Sequence, residues 1–487
     1  MLLKKIFGDC DFKYRGKENV ENLDVSAVCR DSRDCEDGVY FCLTNDFNKA
    51  NARCLDALKN GAKVVVSNFD LPYQESILVD DSRESFSLAC ANFYDRACDD
   101  LRIVGITGTN GKTSTSHIVA QMLQRNGHKT GVIGTSGVFY NGKTFDCPLT
   151  TPDADFLHRA FYEMRQDGVE FVVMEVSAHA IDQKRVAGIN FELGVLTNIT
   201  QDHLDYFNTI EEYERVKLSF FDRKFIKKGV VCADDPRARK LFENCNVPLV
   251  SYGLENPCDV FAIDVSCGLN GSKFFANVCD EIFAISTNLI GQYNVYNSLA
   301  ALGICQSLGL DGNELQIGLN YINPVEGRFN VIKVGDKYAV IDFAHSPDGL
   351  LNVLKATREL TQGRVLTVFG CGGNRDTSKR PQMGEIAEQY ADVVCLTDDN
   401  PRCESSKDII ADIEKGMSKH HFVEANRAKA IGLMLDIAQS GDIVVIAGKG
   451  AEKYQEIGHT KFPYNDFEAV YNYCKQKKEK EVERKLL

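Results

Sequence analysis

Proline is scarce, 11 in 487 residues, and no collagen-like repeat or proline-rich tract occurs, which sets aside fibrous and disordered classes. Positive charge is also in deficit: 56 Lys and Arg stand against 69 Asp and Glu, a net −13. So acidic a chain argues against non-specific nucleic-acid or anionic-membrane binding, leaving room only for a local basic pocket. No apolar run approaches the roughly 18–20 residues that span a bilayer. At the start, Lys4 and Lys5 meet Gly8 and Asp9 before a secretion-signal core forms, so the protein is expected in the cytoplasm. The 18 cysteines lack metal spacing: no two are separated by only two residues, and Cys29, Cys35 and Cys42 are the closest neighbours. They read as free thiols of a reducing compartment. Internal repeats and low-complexity segments are absent.

What is present is an alternation of strands and helices. Up to about Cys98, apolar runs at Gly38–Leu43 and Ala62–Ser67 flank a helix across Asn51–Asn60, giving a small α/β unit. Beyond Arg102 the candidate strands are Phe171–Val176, Leu193–Thr197, Gly229–Cys232, Tyr338–Ile341, Val365–Phe369, Val393–Leu396 and Ile443–Ala447. Amphipathic stretches Phe156–Gln166, Ile210–Phe221 and Lys407–Met417 lie between them. The pattern predicts an α/β protein with mostly parallel, doubly wound sheets, and the length suits about three domains. Asn323-Pro-Val-Glu-Gly is the best boundary in the second half, and Lys475–Lys485 is a solvated charge run ending a helix.

The most informative segment is Gly105-Ile-Thr-Gly-Thr-Asn-Gly-Lys-Thr-Ser, between a strand and the helical stretch His117–Arg125. Gly108 and Gly111 let backbone N–H groups wrap phosphate oxygens, and the helix N-terminus adds partial positive charge. Lys112 reaches outer phosphates and the Thr113 hydroxyl suits magnesium. Ile106 occupies the position of the first glycine in the strict nucleotide-loop pattern. Glu175 ends an apolar strand, where α/β sheets place ligands and where a carboxylate facing phosphate suits magnesium. His203 follows the next strand in a polar cluster. Lys217 falls on the apolar stripe of Ile210, Tyr213, Val216 and Phe220, so it either snorkels or is a desolvated amine with a lowered pKa.

Gly-Thr-Asn-Gly-Lys-Thr resembles the ATP loop of the Mur ligase family, ATP-dependent enzymes that phosphorylate a carboxylate and let an amine attack the acyl phosphate. The resemblance runs from residue 105 to the end. It implies Gly108, Thr109, Asn110, Gly111, Lys112, Thr113 and Ser114 on ATP phosphates, and Thr113, Glu175, His203 and a carbamylated Lys217 around Mg2+. It also implies Asn294 and Asn297 by the adenine, with Arg328, Asp342 and His345 as nucleotide contacts. Glu326 and Phe343 depart from the family's proline and tyrosine. The implied organisation is an N-terminal uridine-binding α/β domain (1–98), a central ATPase domain (99–326) and a C-terminal Rossmann-like domain (327–487).

Three segments are similar to the family branch that adds the third stem-peptide residue to UDP-N-acetylmuramoyl-L-alanyl-D-glutamate. There, Arg30, Ser32, Thr150, Thr151, Ser177, Gln183 and Arg185 hold the UDP substrate. Ala178 stands for a serine and Asn48-Lys49 for an Asp-Gly pair. Arg375, Asp399, Asn400, Pro401, Arg402, Gly448 and Glu452 match the amino-acid site, with Ala451 in place of a histidine. Asp-Asn-Pro-Arg resembles the motif of meso-diaminopimelate enzymes, and Arg402 gives that substrate's extra carboxylate a partner. The expectation is a monomeric ligase without nucleic-acid or membrane partners. The alternatives are a lysine-adding enzyme, a folylpolyglutamate-synthetase-like ligase, a P-loop kinase or NTPase switch, and an inactive binding paralogue.

Overall fold

The computed structural model describes residues 1–8, 12–14, 22–147 and 149–486, with side chains through 477. Asp9, Cys10 and the side chains of the Lys478–Lys485 charge run lie outside the described residues. Among the described residues three larger sheets follow one another along the chain, and a separate two-stranded hairpin, Tyr454–Ile457 with Thr460–Pro463, comes after them. The first has five strands and is parallel apart from the edge strand Lys13–Tyr14. Its central strands Val39–Phe41 and Val64–Ser67 are fully buried runs, as expected of β-branched and aromatic residues covered on both faces. The helix predicted over Asn51–Asn60 is Phe47–Lys59, begun about one turn earlier because the Asp46 carboxylate caps it at Lys49 N.

The second sheet has eleven strands. Arg102–Thr107 sits in its middle, hydrogen-bonded in parallel to Phe171–Glu175 on one side and Phe191–Leu196 on the other. The chain leaves Arg102–Thr107 for Thr130–Gly134 on one flank and later returns to the other, so this strand marks the switch point where such sheets open a crevice. The sheet is mostly parallel, as the sequence pattern predicts, with antiparallel extensions at both edges. Val260–Gly268, Gly271–Val278 and Glu281–Thr287 form one of these extensions. Their half-buried alternation is broken by Asp264, Asp280 and turn glycines, which hides the period-two signal.

The third sheet has six strands, parallel except at the edge strand Asn330–Val334. Val365–Phe369, Val393–Leu396 and Ile443–Ala447 occur as expected. Asn323–Gly327 lies in the link between the helix Gly312–Asn320 and this sheet. The helix Asp466–Leu486 is anchored by a fully buried ion pair, Arg427 to Asp466, with two N–H groups donating at 2.8 and 2.9 Å. Losing either partner strands a buried charge, a cost of roughly 3–5 kcal/mol. The 17 described cysteines are free thiols. No helix among the described residues is long and apolar enough to cross a membrane.

Candidate functional site

The loop after Arg102–Thr107 closes on the helix Lys112–Arg125, whose N-cap is Gly111 at φ 85°. A Cβ on Gly108 would lie 1.8 Å from Thr197 Oγ1, and one on Gly111 2.6 Å from Asn297 Oδ1, so the turn has space only for hydrogen at both positions. Lys112 Nζ donates to the carbonyls of Gly108 and Thr109, both at 2.8 Å, which curls the lysine over its own loop. Thr109 is tied to Tyr213 and Thr200, and Asn110 N donates to Asn198.

Glu175 is 1 % exposed at the end of its strand. Its carboxylate accepts from Thr113 Oγ1 at 2.9 Å, from Thr135 N at 2.9 Å and from Thr135 Oγ1 at 3.2 Å. Lys217 is 1 % exposed, so it does not snorkel. It donates to Gly108 O at 2.8 Å, lies 4.7 Å over the Tyr213 ring, and forms no ion pair with a carboxylate among the described residues. Burial, aided by the Lys112 charge and opposed by Asp202, holds its amine far below the ordinary lysine range. His203 stands at 3.5 Å from Asp202 and edge-on to His179, and burial lowers it to about 4. Among the described residues no group of three or more His, Cys, Asp or Glu side chains is gathered as a metal cage. The oxygen-rich set here is one carboxylate with hydroxyls.

A cavity of about 390 Å³ opens between the phosphate loop and the third sheet. Asn110, Gly111, Ser114 and Asn297 line one side, and Arg328, Asp342 and His345 the other. Asn294 is not on the wall: it stands behind Asn297, accepting from its amide at 3.0 Å while donating to Ile290 O. Arg328 crosses from the third sheet's side to donate to Thr113 Oγ1 at 3.1 Å, its guanidinium 4.4 Å from the Phe343 ring centroid. Asp342 accepts from Phe329 N and Ala344 N, pinning both turns, and burial raises its pKa. The sequence reading missed Asp348, which accepts from Asn110 at 2.6 Å, and the Asp234–Pro236 turn, where Asp234 fastens Tyr296. A polar cluster directly after the strand Ile226–Cys232 was the available signal for the second.

A second cavity, about 660 Å³, is lined by Arg30, Ser32 and their neighbours in the first unit. Asn48 and Lys49 are not on its wall; they sit in the first turn of Phe47–Lys59. Asp153 joins this cavity to the central sheet: one oxygen lies 2.9 Å from Arg30, the other 3.1 Å from Arg185. Arg185 also donates to Thr151 O and Gln183, and Thr151 Oγ1 joins Ser177 to the Glu175 carbonyl. Thr150 reaches the same network through Thr135. Through Asp153, the residues Arg30, Arg185, Gln183, Thr151 and Ser177 form a continuous track from the second cavity, whose wall includes Ser32, to Glu175. Asp153→Ala removes the carboxylate that Arg30 and Arg185 share, leaving Arg30 with Asp155 at 3.3 Å and Arg185 without this ion pair. It should lower unfolding free energy by about 1–3 kcal/mol in denaturant titration; unchanged stability would show that the arginines find other partners.

In the third sheet, the ends of four parallel strands deliver Asp342, the loop from Gly370, Asp399–Arg402 and Gly448 to one edge. A Cβ on Gly373 would lie 1.9 Å from Pro401 O, so these two loops pack backbone to backbone. Arg375 is exposed and makes no ion pair among the described residues. Two expectations change here. Arg402 is not left unpaired: it donates to Glu456 at 2.9 Å and to Gly373 O at 2.8 Å. Glu452 already has an ammonium partner, the fully buried Lys449 at 2.8 Å, and accepts from Asn400. Asp399 Oδ2 is buried without a partner, facing the position a Gly448 Cβ would fill.

Comparison with known proteins agrees with this geometry. The Mur ligase middle domain matches residues 106–305, and the Mur ligase, glutamate ligase domain matches 327–450. A UDP-N-acetylmuramoyl-L-alanyl-D-glutamate–2,6-diaminopimelate ligase of Clostridium acetobutylicum is 36% identical over 98% of this chain and 100% of its own. The ligase of that name from Geobacillus kaustophilus is 39% identical over 91% and 94%. A solved structure of a ligase of this name superposes with TM-score 0.71 at 30% identity, covering 98% and 99% of the two chains. The chain belongs to the Mur ligase family.

Proposed function

We propose that the protein is an ATP-dependent ligase that joins meso-diaminopimelate to UDP-N-acetylmuramoyl-L-alanyl-D-glutamate through an acyl phosphate, a peptidoglycan precursor step. The observation that carries this reading is one continuous track. A nucleotide-sized cavity at Arg30 and Ser32 leads through Asp153, Arg185 and Ser177 to Glu175 and the phosphate loop, and the Asp-Asn-Pro-Arg edge lies on the far side. Each end suits one substrate: uridine diphosphate in the first unit, ATP in the 390 Å³ cavity, and the amino acid along the third sheet. Residues 1–98, 99–326 and 327–487 are proposed as the three domains that bring these pieces, acting as a cytoplasmic monomer.

In the proposed reaction the acceptor's carboxylate attacks the γ-phosphate of ATP. The amine then displaces inorganic phosphate from the acyl phosphate. Lys112 and Arg328 supply cations where charge gathers on the transferring group. The Glu175 carboxylate and Thr113 hydroxyl are hard oxygen donors that fit Mg2+, with His203 and a carbamate on Lys217 completing its surroundings. Bound Mg2+ would neutralise phosphate charge. The Lys217 amine suits carbamylation because burial without a carboxylate partner favours its neutral form, the form that adds to carbon dioxide and releases a proton.

Incubation with ATP, Mg2+, the UDP-muramoyl dipeptide and either diaminopimelate or lysine, followed by weighing of the product, tests the reading. Diaminopimelate should be preferred. Because Glu456 already compensates Arg402, lysine would not leave a bare buried cation. Discrimination then rests on the hydrogen bonds that lysine cannot make, about 1–3 kcal/mol. Arg402→Ala should narrow the preference in kcat/KM by about ten- to a hundredfold. Equal losses with both amines, or a wild-type preference for lysine, would reassign the amine.

A further inference from the structure

The wall of the second cavity carries a feature that the proposed ligase chemistry does not use. Cys29 ends the strand Val28–Cys29 and lines the cavity; Cys35 lies beneath the loop that follows, fully buried. The two thiols converge on the five-residue loop that separates them. Cys29 Sγ donates to Asp34 O at 3.2 Å and Cys35 Sγ to Asp31 O at 2.9 Å. The loop held in this way contains Arg30 and Ser32, the residues assigned to the nucleotide end of the substrate. Space for the Cys29 sulfur exists because residue 38 is glycine, whose Cβ would approach it to 3.0 Å.

We propose that Cys29 and Cys35 form an oxidisable dithiol site, closed to a disulfide by a hydroperoxide, whose closure remodels the cavity wall at residues 30–34. Cys29 reacts first because it alone of the pair faces the cavity, and the Cys35 thiol lowers its pKa. Its thiolate attacks one peroxide oxygen, the O–O bond breaks, and a sulfenic acid and water result after proton uptake. The Cys35 sulfur then attacks the sulfenic sulfur; hydroxide departs and leaves as water with the Cys35 proton. Each sulfur loses one electron and the peroxide gains two. A disulfide has no S–H, so the carbonyls of Asp31 and Asp34 lose both donors and the loop resettles.

Hydrogen peroxide added to the full-length protein, followed by alkylation and peptide mass mapping, tests the site. The expected result is a Cys29–Cys35 cross-linked peptide lighter by two hydrogens, reversed by dithiothreitol and absent from Cys35→Ser. Cys42 and Cys54 provide a control within the same unit. Both are fully buried and line neither cavity, so they should remain alkylatable after unfolding. In calorimetry, oxidation should weaken uridine diphosphate binding at least ~10-fold, which is about 1.4 kcal/mol. That second readout rests on the proposed function, whereas the cross-link is scored by mass alone. Reduced protein that fails to bind uridine diphosphate would therefore count against the function and not against the dithiol. Free Cys29 and Cys35 after peroxide would overturn the proposal, as would a disulfide that leaves uridine diphosphate binding unchanged.

Discussion

Lys112→Ala should lower kcat by about a hundred- to a thousandfold, the range found when one preorganised donor to a developing charge is removed. The lysine's position explains why no neighbour replaces it. Its ammonium is held over the loop by Gly108 O and Thr109 O, where phosphate oxygens would displace those carbonyls as acceptors. Burial lowers its pKa, and the Glu175 and Asp202 charges oppose that shift. Arg328 comes from the other side and bonds Thr113, too far round the loop to take over both roles. The two carbonyl bonds also brace the turn, so thermal unfolding should be measured in parallel. A folded variant with near-normal turnover would remove the phosphate-transfer role.

Much of this site was legible in the sequence because chemistry-bearing residues stood where apolar patterns ended. Glu175 closes an apolar strand, and Lys217 breaks an apolar helix stripe; both are 1 % exposed in the fold. The parallel strands were visible as short, continuous Val/Ile runs. What was hidden depends on partners distant in the chain. Arg402 was visible as a turn arginine, but its pairing with Glu456 is made by a hairpin, Tyr454–Ile457 with Thr460–Pro463, whose charged, exposed alternation resembles a loop. Asp153 was visible only as part of Thr-Thr-Pro-Asp; that it serves two arginines from different units is a tertiary fact. Asn294 read as a ligand because Asn297 did, although helix geometry puts the first behind the second. The antiparallel extension escaped because its period is interrupted wherever its strands turn or bulge.

Lys217→Ala should be nearly inactive, with a loss at least as large as that of Lys112→Ala, and short carboxylates such as formate or acetate should restore part of the rate. Among the described residues no carboxylate forms an ion pair with the Lys217 amine. Lys217 is buried against Gly108 O and the Tyr213 ring with a lysine neighbour in Lys112, and the nearest opposing charge is that of Asp202. Keeping the ammonium form there costs free energy, so the folded-state pKa falls below that of the unfolded chain. Between those two values the unfolded chain binds the extra proton. This lysine's contribution to stability therefore rises with pH through that window and is a penalty below it. A neutral amine in such a place can add to carbon dioxide, the nitrogen losing a proton, and the product would be an anion in the surroundings of His203. Wild-type activity should accordingly fall when dissolved carbon dioxide is stripped and recover on adding bicarbonate, whereas Lys217→Ala should respond to carboxylates but not to bicarbonate. If Lys217→Ala remained fully active in carbon-dioxide-free buffer, no carbamate would be in use, and Lys217 would serve only to hold the Gly108 carbonyl in place.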